Sequence, residues 1–166
     1  MLSPRRLVTG AAPGERSTVT ADGPAPVTGM DGYPGIEIAR LWSTDGGGVL
    51  DTTGTGHDPA SDPFYPPPGG TRFVRISYPP GFGTSHAGTS GEGADAIRLS
   101  RLLMHRTATV DYGIVLAGEL TLVLEDGSES VLRAGDMLVQ NGVVHGWRNA
   151  GPDTAVAAFV LVGFPA

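Results

Sequence analysis

Four histidines, His57, His86, His105 and His145, carry most of the proton-transfer and ligand chemistry available to this chain, because it contains no cysteine. The missing cysteines exclude a thiol nucleophile, a zinc ribbon and a disulfide framework. His105 and His145 lie in the second half of the chain, each at the edge of an apolar run, and Asp111 follows His105 after a short turn. In a strand, residues i and i+2 share a face, so His105 points with Thr107 and His145 with Trp147. An imidazole near a carboxylate is a general acid/base pair, since the negative charge holds the imidazole proton longer. Arg75, Arg98 and Arg101 interrupt apolar strands. Alternation puts Arg101 on the face of Leu99, Leu103 and His105, which makes it the arginine best placed to bind a carboxylate or enolate oxygen through its rigid donor fork. His57 and His86 fall in Gly/Pro-rich segments and are expected on the solvent side of loops.

Those side chains need a scaffold, and composition narrows it. The 166 residues include 26 Gly and 14 Pro, roughly a quarter of the chain, with only 17% charged; about 12% Gly plus Pro is ordinary. All 11 basic residues are Arg, and the net charge is −6. An acidic chain lacks the basic footprint of a nucleic-acid binder, and without lysine a Walker-type phosphate loop is impossible. No apolar stretch approaches a membrane span, and the Arg5-Arg6 pair is not followed by a secretory apolar core. A cytoplasmic location, no nucleic-acid partner and no membrane partner are therefore expected.

Apolar period and turn signals predict a β protein. Strands are expected over Gly35–Trp42, Thr71–Tyr78, Ala96–Arg106, Tyr112–Glu125 with a break at Gly118, Glu129–Arg133, Met137–Gln140, Val144–Arg148 and Thr154–Val162. Asp126-Gly127 and Asn141-Gly142 read as hairpin turns, and turn signals every 8–12 residues mark a sandwich or barrel. Gly118 and Gly135 are expected at bends that need positive φ. The long Gly/Pro-rich connection over 43–70 reads as a lid or an irregular loop, and 79–93 as a second one. Residues 1–34 read as an N-terminal extension and 35–166 as a single domain.

The spacing of the second half resembles the cupin superfamily. His105-Arg-Thr107-Ala-Thr-Val-Asp111, with Gly118 following, matches the first cupin motif with Thr107 in place of its second His and Asp111 in place of its Glu; Leu99 stands where its leading Gly belongs. Gly135, Gly142, His145 and Asn149 match the second motif, with Gln140 in place of its Pro and a first gap one residue shorter. The resemblance covers Ala96 to Val162. It implies a double-stranded β-helix, a jelly-roll barrel with one open mouth, in which His105, Asp111 and His145 converge. They would hold one divalent transition metal (Fe, Mn, Ni or Zn) as a two-His, one-carboxylate triad, or form a metal-free polar pocket. Thr107, Tyr112, Trp147 and Arg101 are the expected substrate-binding neighbours, Trp147 as an aromatic wall. The implied function is acid/base lyase or isomerase chemistry on a small carbonyl compound (dehydration, decarboxylation, isomerisation or cyclisation) in bacterial-type biosynthesis or catabolism. The alternatives are a metal-dependent dioxygenase and a non-catalytic small-ligand-binding barrel. A homodimer is expected, with the N-terminal extension as a candidate arm.

Overall fold

The computed structural model describes residues 3–54, 58–84 and 104–166. Among them there is no helix. Eleven strands run in chain order: β1 (Arg5–Gly10), β2 (Thr18–Pro24), β3 (Val27–Met30), β4 (Tyr33–Thr44), β5 (Thr71–Tyr78), β6 (Thr109–Ala117), β7 (Glu119–Leu124), β8 (Glu129–Arg133), β9 (Met137–Asn141), β10 (His145–Arg148) and β11 (Ala155–Gly163). All pairings are antiparallel. One sheet has the order β3-β4-β5-β11-β6-β9, a second β10-β7-β8, and β1-β2 form a separate hairpin. Among the described residues this is the all-β, jelly-roll architecture expected from the sequence.

Alternation builds the core. Along β11 the side chains of Ala155, Ala157, Phe159 and Leu161 point inward, as do Val115 on β6, Val74 on β5 and Ile36 and Ile38 on β4. Leu120, Leu122 and Trp147 from the second sheet close on them. At about 25 cal/mol per Å2 of apolar surface removed from water, this inter-sheet burial is the main stabilising term.

The links between the sheets are where the chain bends. Gly118, between β6 and β7, has φ 70°, and a Cβ there would meet Ala155 Cα at 2.9 Å. Any side chain would therefore be both strained and clashing with backbone. Gly135 has φ 96°, between β8 and β9. Asp126-Gly127 closes the β7–β8 hairpin, with Gly127 N–H donating to Leu124 O at 3.0 Å. Asn141-Gly142 does not close a hairpin. β9 pairs with β6 and β10 with β7, so this turn carries the chain from one sheet to the other. Dipeptide chemistry fixes the bend at Gly142 (φ 61°) but not which strands it joins.

Other differences are local. β6 begins at Thr109, before the expected Tyr112, so Asp111 lies inside a strand rather than at its mouth. β3 pairs with β4, so the main sheet extends across the expected boundary at 34/35. Most of the expected strand Ala96–Arg106 lies outside the described residues; its end pairs with β10 through a single bridge, His105 to His145. His57, His86, Arg98 and Arg101 also lie outside them.

Candidate functional site

A cavity of about 320 Å3 opens between the two sheets. That is near the lower end of small-ligand pockets, which run from roughly 300 to 1,000 Å3. Half of its apolar lining is aromatic, Tyr33, Phe64, Tyr65, Tyr78, Trp147 and Phe159, and the rest is aliphatic or methionine. Trp147 lies 5.5 Å from Phe159 and 6.3 Å from Tyr78, ring centre to ring centre. Gly113 makes room for this arrangement, since a Cβ there would meet Phe159 Cε1 at 2.8 Å.

His105, Asp111, Gln140 and His145 supply the polar end. The bridge between residues 105 and 145 is double, His105 N–H to His145 O at 2.9 Å and His145 N–H to His105 O at 3.0 Å. It sets the two imidazoles 4.4 Å apart, centre to centre. Tyr65 stands 6.3 Å from the His105 ring. Asp111 and Gln140 are directly opposed across β6 and β9.

The electrostatics separate these groups. His145 Nδ1 lies 3.0 Å from Val143 O. A carbonyl only accepts, so Nδ1 carries the hydrogen and Nε2 keeps its lone pair. Burial pushes the His145 pKa down; the bond to Val143 opposes this, and charge on His105 reinforces it. Burial pushes the Asp111 carboxyl up, against weaker downward pulls from the Thr109 hydroxyl and from His105. Asp111 is 8% exposed and its Oδ1 has no hydrogen-bond partner; Gln140 is 3% exposed and its Nε2 has none. Burial, and secondarily the Asp111 charge, raises the Tyr65 phenol.

The sequence-expected residues divide. His105, Asp111, His145 and Trp147 line one cavity. Thr107 is not part of its lining; its hydroxyl is 2.7 Å from that of Thr109. Tyr112 follows Asp111 in β6 and therefore points to the opposite face, where it is 54% exposed. It cannot touch a ligand inside the barrel. Arg101 lies outside the described residues. The sequence reading passed over Gln140, although alternation in Met137–Asn141 already puts it inward with Leu138. It also passed over Phe64 and Tyr65, which come from the connection between β4 and β5 and carry no periodic signal.

That connection is pinned. Buried Arg72 donates to Pro63 O at 2.9 Å, Thr44 O at 2.8 Å and Asp45 Oδ1 at 2.9 Å. Arg40 reaches Ala60 O and Asp62 O, and the Ser43 hydroxyl donates to Asp62. Asn149, fully buried, donates to Tyr78 O and Asp153 O at 2.9 and 2.8 Å, so its role is to fasten the loop after β10.

Residues 100–162 match the family model described as a cupin domain. Over these residues the chain is similar to the cupin family. It is 55% identical over 47 residues to phomopsin biosynthesis cluster protein C′ of Diaporthe leptostromiformis, a match covering 28% of this chain and 25% of that protein. It is 46% identical over 46 residues to the cupin-domain-containing oxidoreductase virC of Hypocrea virens, covering 28% and 24%. The matched stretch thus spans about a quarter of the length of these curated relatives. Among solved structures, the chain is similar to an RmlC-like cupin from Shewanella frigidimarina (TM-score 0.44, 16% identity, 82% of each chain).

Cupin domains often bind a divalent metal. Among the described residues, no three His, Cys, Asp or Glu side chains gather closely enough to hold one, His105, Asp111 and His145 included. The Thr107 hydroxyl, at the position of a further ligand, is turned to Thr109. As arranged, this donor set does not form a metal centre.

Proposed function

We propose that the cavity is the active site of a small-molecule enzyme that moves a proton on a carbonyl compound, as an isomerase or lyase. The observation that carries this reading is the state of His145. Its Nδ1 hydrogen is held by Val143 O, and burial favours the neutral ring. A neutral imidazole with a free Nε2 lone pair is a general base near neutral pH. His105 interacts with the charges of both Asp111 and His145, which suits it to return the proton while Asp111 balances its charge. In an isomerisation the proton leaves one carbon for His145 and returns at another position, so no oxidant or co-substrate enters.

The test is hydrogen exchange. A panel of small carbonyl compounds is incubated with the protein in D2O and read by mass spectrometry. Exchange beside the carbonyl is expected, and His145→Asn should lower its rate by about 100-fold or more. An exchange rate unaltered by His145→Asn overturns the reading. No exchange above the protein-free rate with any compound would leave a non-catalytic binding barrel.

A second reading, an oxidoreductase, is favoured by the names of several curated relatives, described as cupin-domain-containing oxidoreductases. Its test is oxygen uptake and melting temperature on addition of Fe(II), Mn(II), Ni(II) or Zn(II). No change in either retires it.

A further inference from the structure

The edges of the sheets are not protected alike. A terminal strand offers a row of backbone donors and acceptors to any second strand, and proteins blunt such edges with charge, proline, short length or bulges. β3, at one end of the six-stranded sheet, has four residues and a register shift between Gly29 and Met30. β8, at the end of the second sheet, carries Glu129 and Arg133, ion-paired with Arg148 and Glu119. In the β1–β2 hairpin Arg5 is paired with Asp22. Among the described residues β9 ends the six-stranded sheet on its other side, and its sequence, Met-Leu-Val-Gln-Asn, has neither charge nor proline. Its side chains divide by face. Leu138 packs against the core and Gln140 is buried. Met137 and Val139 point outward, 76% and 63% exposed, and Tyr112, opposite Val139 on β6, is exposed as well.

Exposed apolar side chains beside a terminal row of peptide groups make β9 adhesive. What pairs with it must be extended, uncharged, and apolar on the face that continues Met137 and Val139. A second copy of the same strand meets these demands. Antiparallel strands of identical sequence are related by a two-fold axis, so a single patch is its own complement and association closes at two. With Val139 on the axis, Met137 faces the partner's Asn141, and the two Asp136 carboxylates stay at opposite ends of the paired strands. Copies of a chain with net charge −6 repel one another at long range, and a strip without charge adds no local repulsion to that.

We propose that β9 is a homodimer interface, pairing antiparallel about Val139 with β9 of a second copy and joining two six-stranded sheets into one. Two five-residue strands bury less than the roughly 800 Å2 per partner of a standard interface, so the dimer is reversible and forms with rising concentration. The same strand turns Leu138 and Gln140 toward the cavity, so the wall behind the site is the surface that a second copy covers.

A chain without cysteine gives this a clean test. Opposed Cα atoms of an antiparallel pair lie about 4.5–5.5 Å apart, within the roughly 4.4–6.8 Å that a disulfide spans. Under mild oxidation Val139→Cys should form a covalent dimer at least about tenfold faster than Tyr112→Cys, which is exposed on the same face but one strand in from the edge. Sedimentation equilibrium of the wild-type chain, at concentrations up to about 1 mM, should show monomer and dimer exchanging. Val139→Lys sets two like charges in opposition and should raise the dissociation constant at least about tenfold. A wild-type chain that stays monomeric overturns the proposal, as does a dimer that Val139→Lys leaves intact or crosslinking no faster at 139 than at 112. Should Val139→Lys fail to fold by circular dichroism, Met137→Lys takes its place. Mass and crosslinking are the readouts, so the outcome is independent of the D2O exchange that tests catalysis.

Discussion

The two faces of β6 invert the usual distribution of residues. Its inner face carries Thr109, Asp111, Gly113 and Val115, all buried. Its outer face carries Tyr112, Ile114 and Leu116, exposed at 54, 41 and 52%. A strand selected only for stability would place the apolar set inside and the carboxylate outside. Here an ionisable group sits in the barrel at an energetic cost, with an unpaired oxygen. Expenditure of this kind marks a site whose chemistry matters more than its contribution to folding. The outer face bears apolar residues, and the β1–β2 hairpin stands off it across a broad groove lined by Leu7, Trp42, Phe73, Ile114 and Leu116.

Breaking the inner face should have the largest effect. Asp111→Asn should lower turnover by about 100-fold or more, measured by the same exchange assay, without unfolding the protein. Next comes the bend that sends β6 out of its sheet. Gly118→Ala should cost at least about 1–3 kcal/mol in chemical denaturation, because a left-handed φ and a backbone contact are both violated. A third comparison uses adjacent residues of one strand. Val115→Thr, which buries a hydroxyl in the core, should cost about 1–3 kcal/mol. Ile114→Thr should stay within about 0.5 kcal/mol. Equal costs would erase the distinction between the faces.

The smallest effect is the pH dependence of stability. The Asp111 pKa is raised in the folded state, so the folded chain holds that proton more tightly than the unfolded chain. Its contribution is therefore most favourable below the ordinary carboxyl value of 3.8 and declines as pH rises through the elevated folded value. Asp111→Asn should melt higher than wild type at neutral pH and lose that advantage in acid. The His145 pKa is lowered from 6.5. Its contribution is full above 6.5 and falls as pH drops toward the folded value, a loss that His145→Asn should remove from the melting curve.

Much of this was legible in the sequence for a physical reason. The strand from Thr71 to Tyr78 and the strand from Glu129 to Arg133 are bounded by turn residues, and both were read with their observed limits. His105, Asp111 and His145 were found because their spacing is locked to Gly118 and Gly142, which must occupy fixed bends. Tyr112 was misplaced because the strand starts at Thr109, and a strand's register decides which face each residue takes. The β1–β2 hairpin escaped because neither strand has a fully buried face. Phe64 and Tyr65 were invisible for another reason. They reach the cavity through hydrogen bonds between distant residues, which local sequence does not encode.

Arg72 has a consequence for how such a protein diversifies. It holds the carbonyl of Pro63, the residue immediately before Phe64 and Tyr65, from a position buried in β5. The backbone that carries these two rings is thus fastened to the barrel wall just before them. The pair behaves as an exchangeable cassette: its side chains can be swapped to reshape the mouth while the anchorage and the barrel beneath persist. Tyr65, the more exposed of the two, is the freer position, because Phe64 also packs against the core and beneath Arg40.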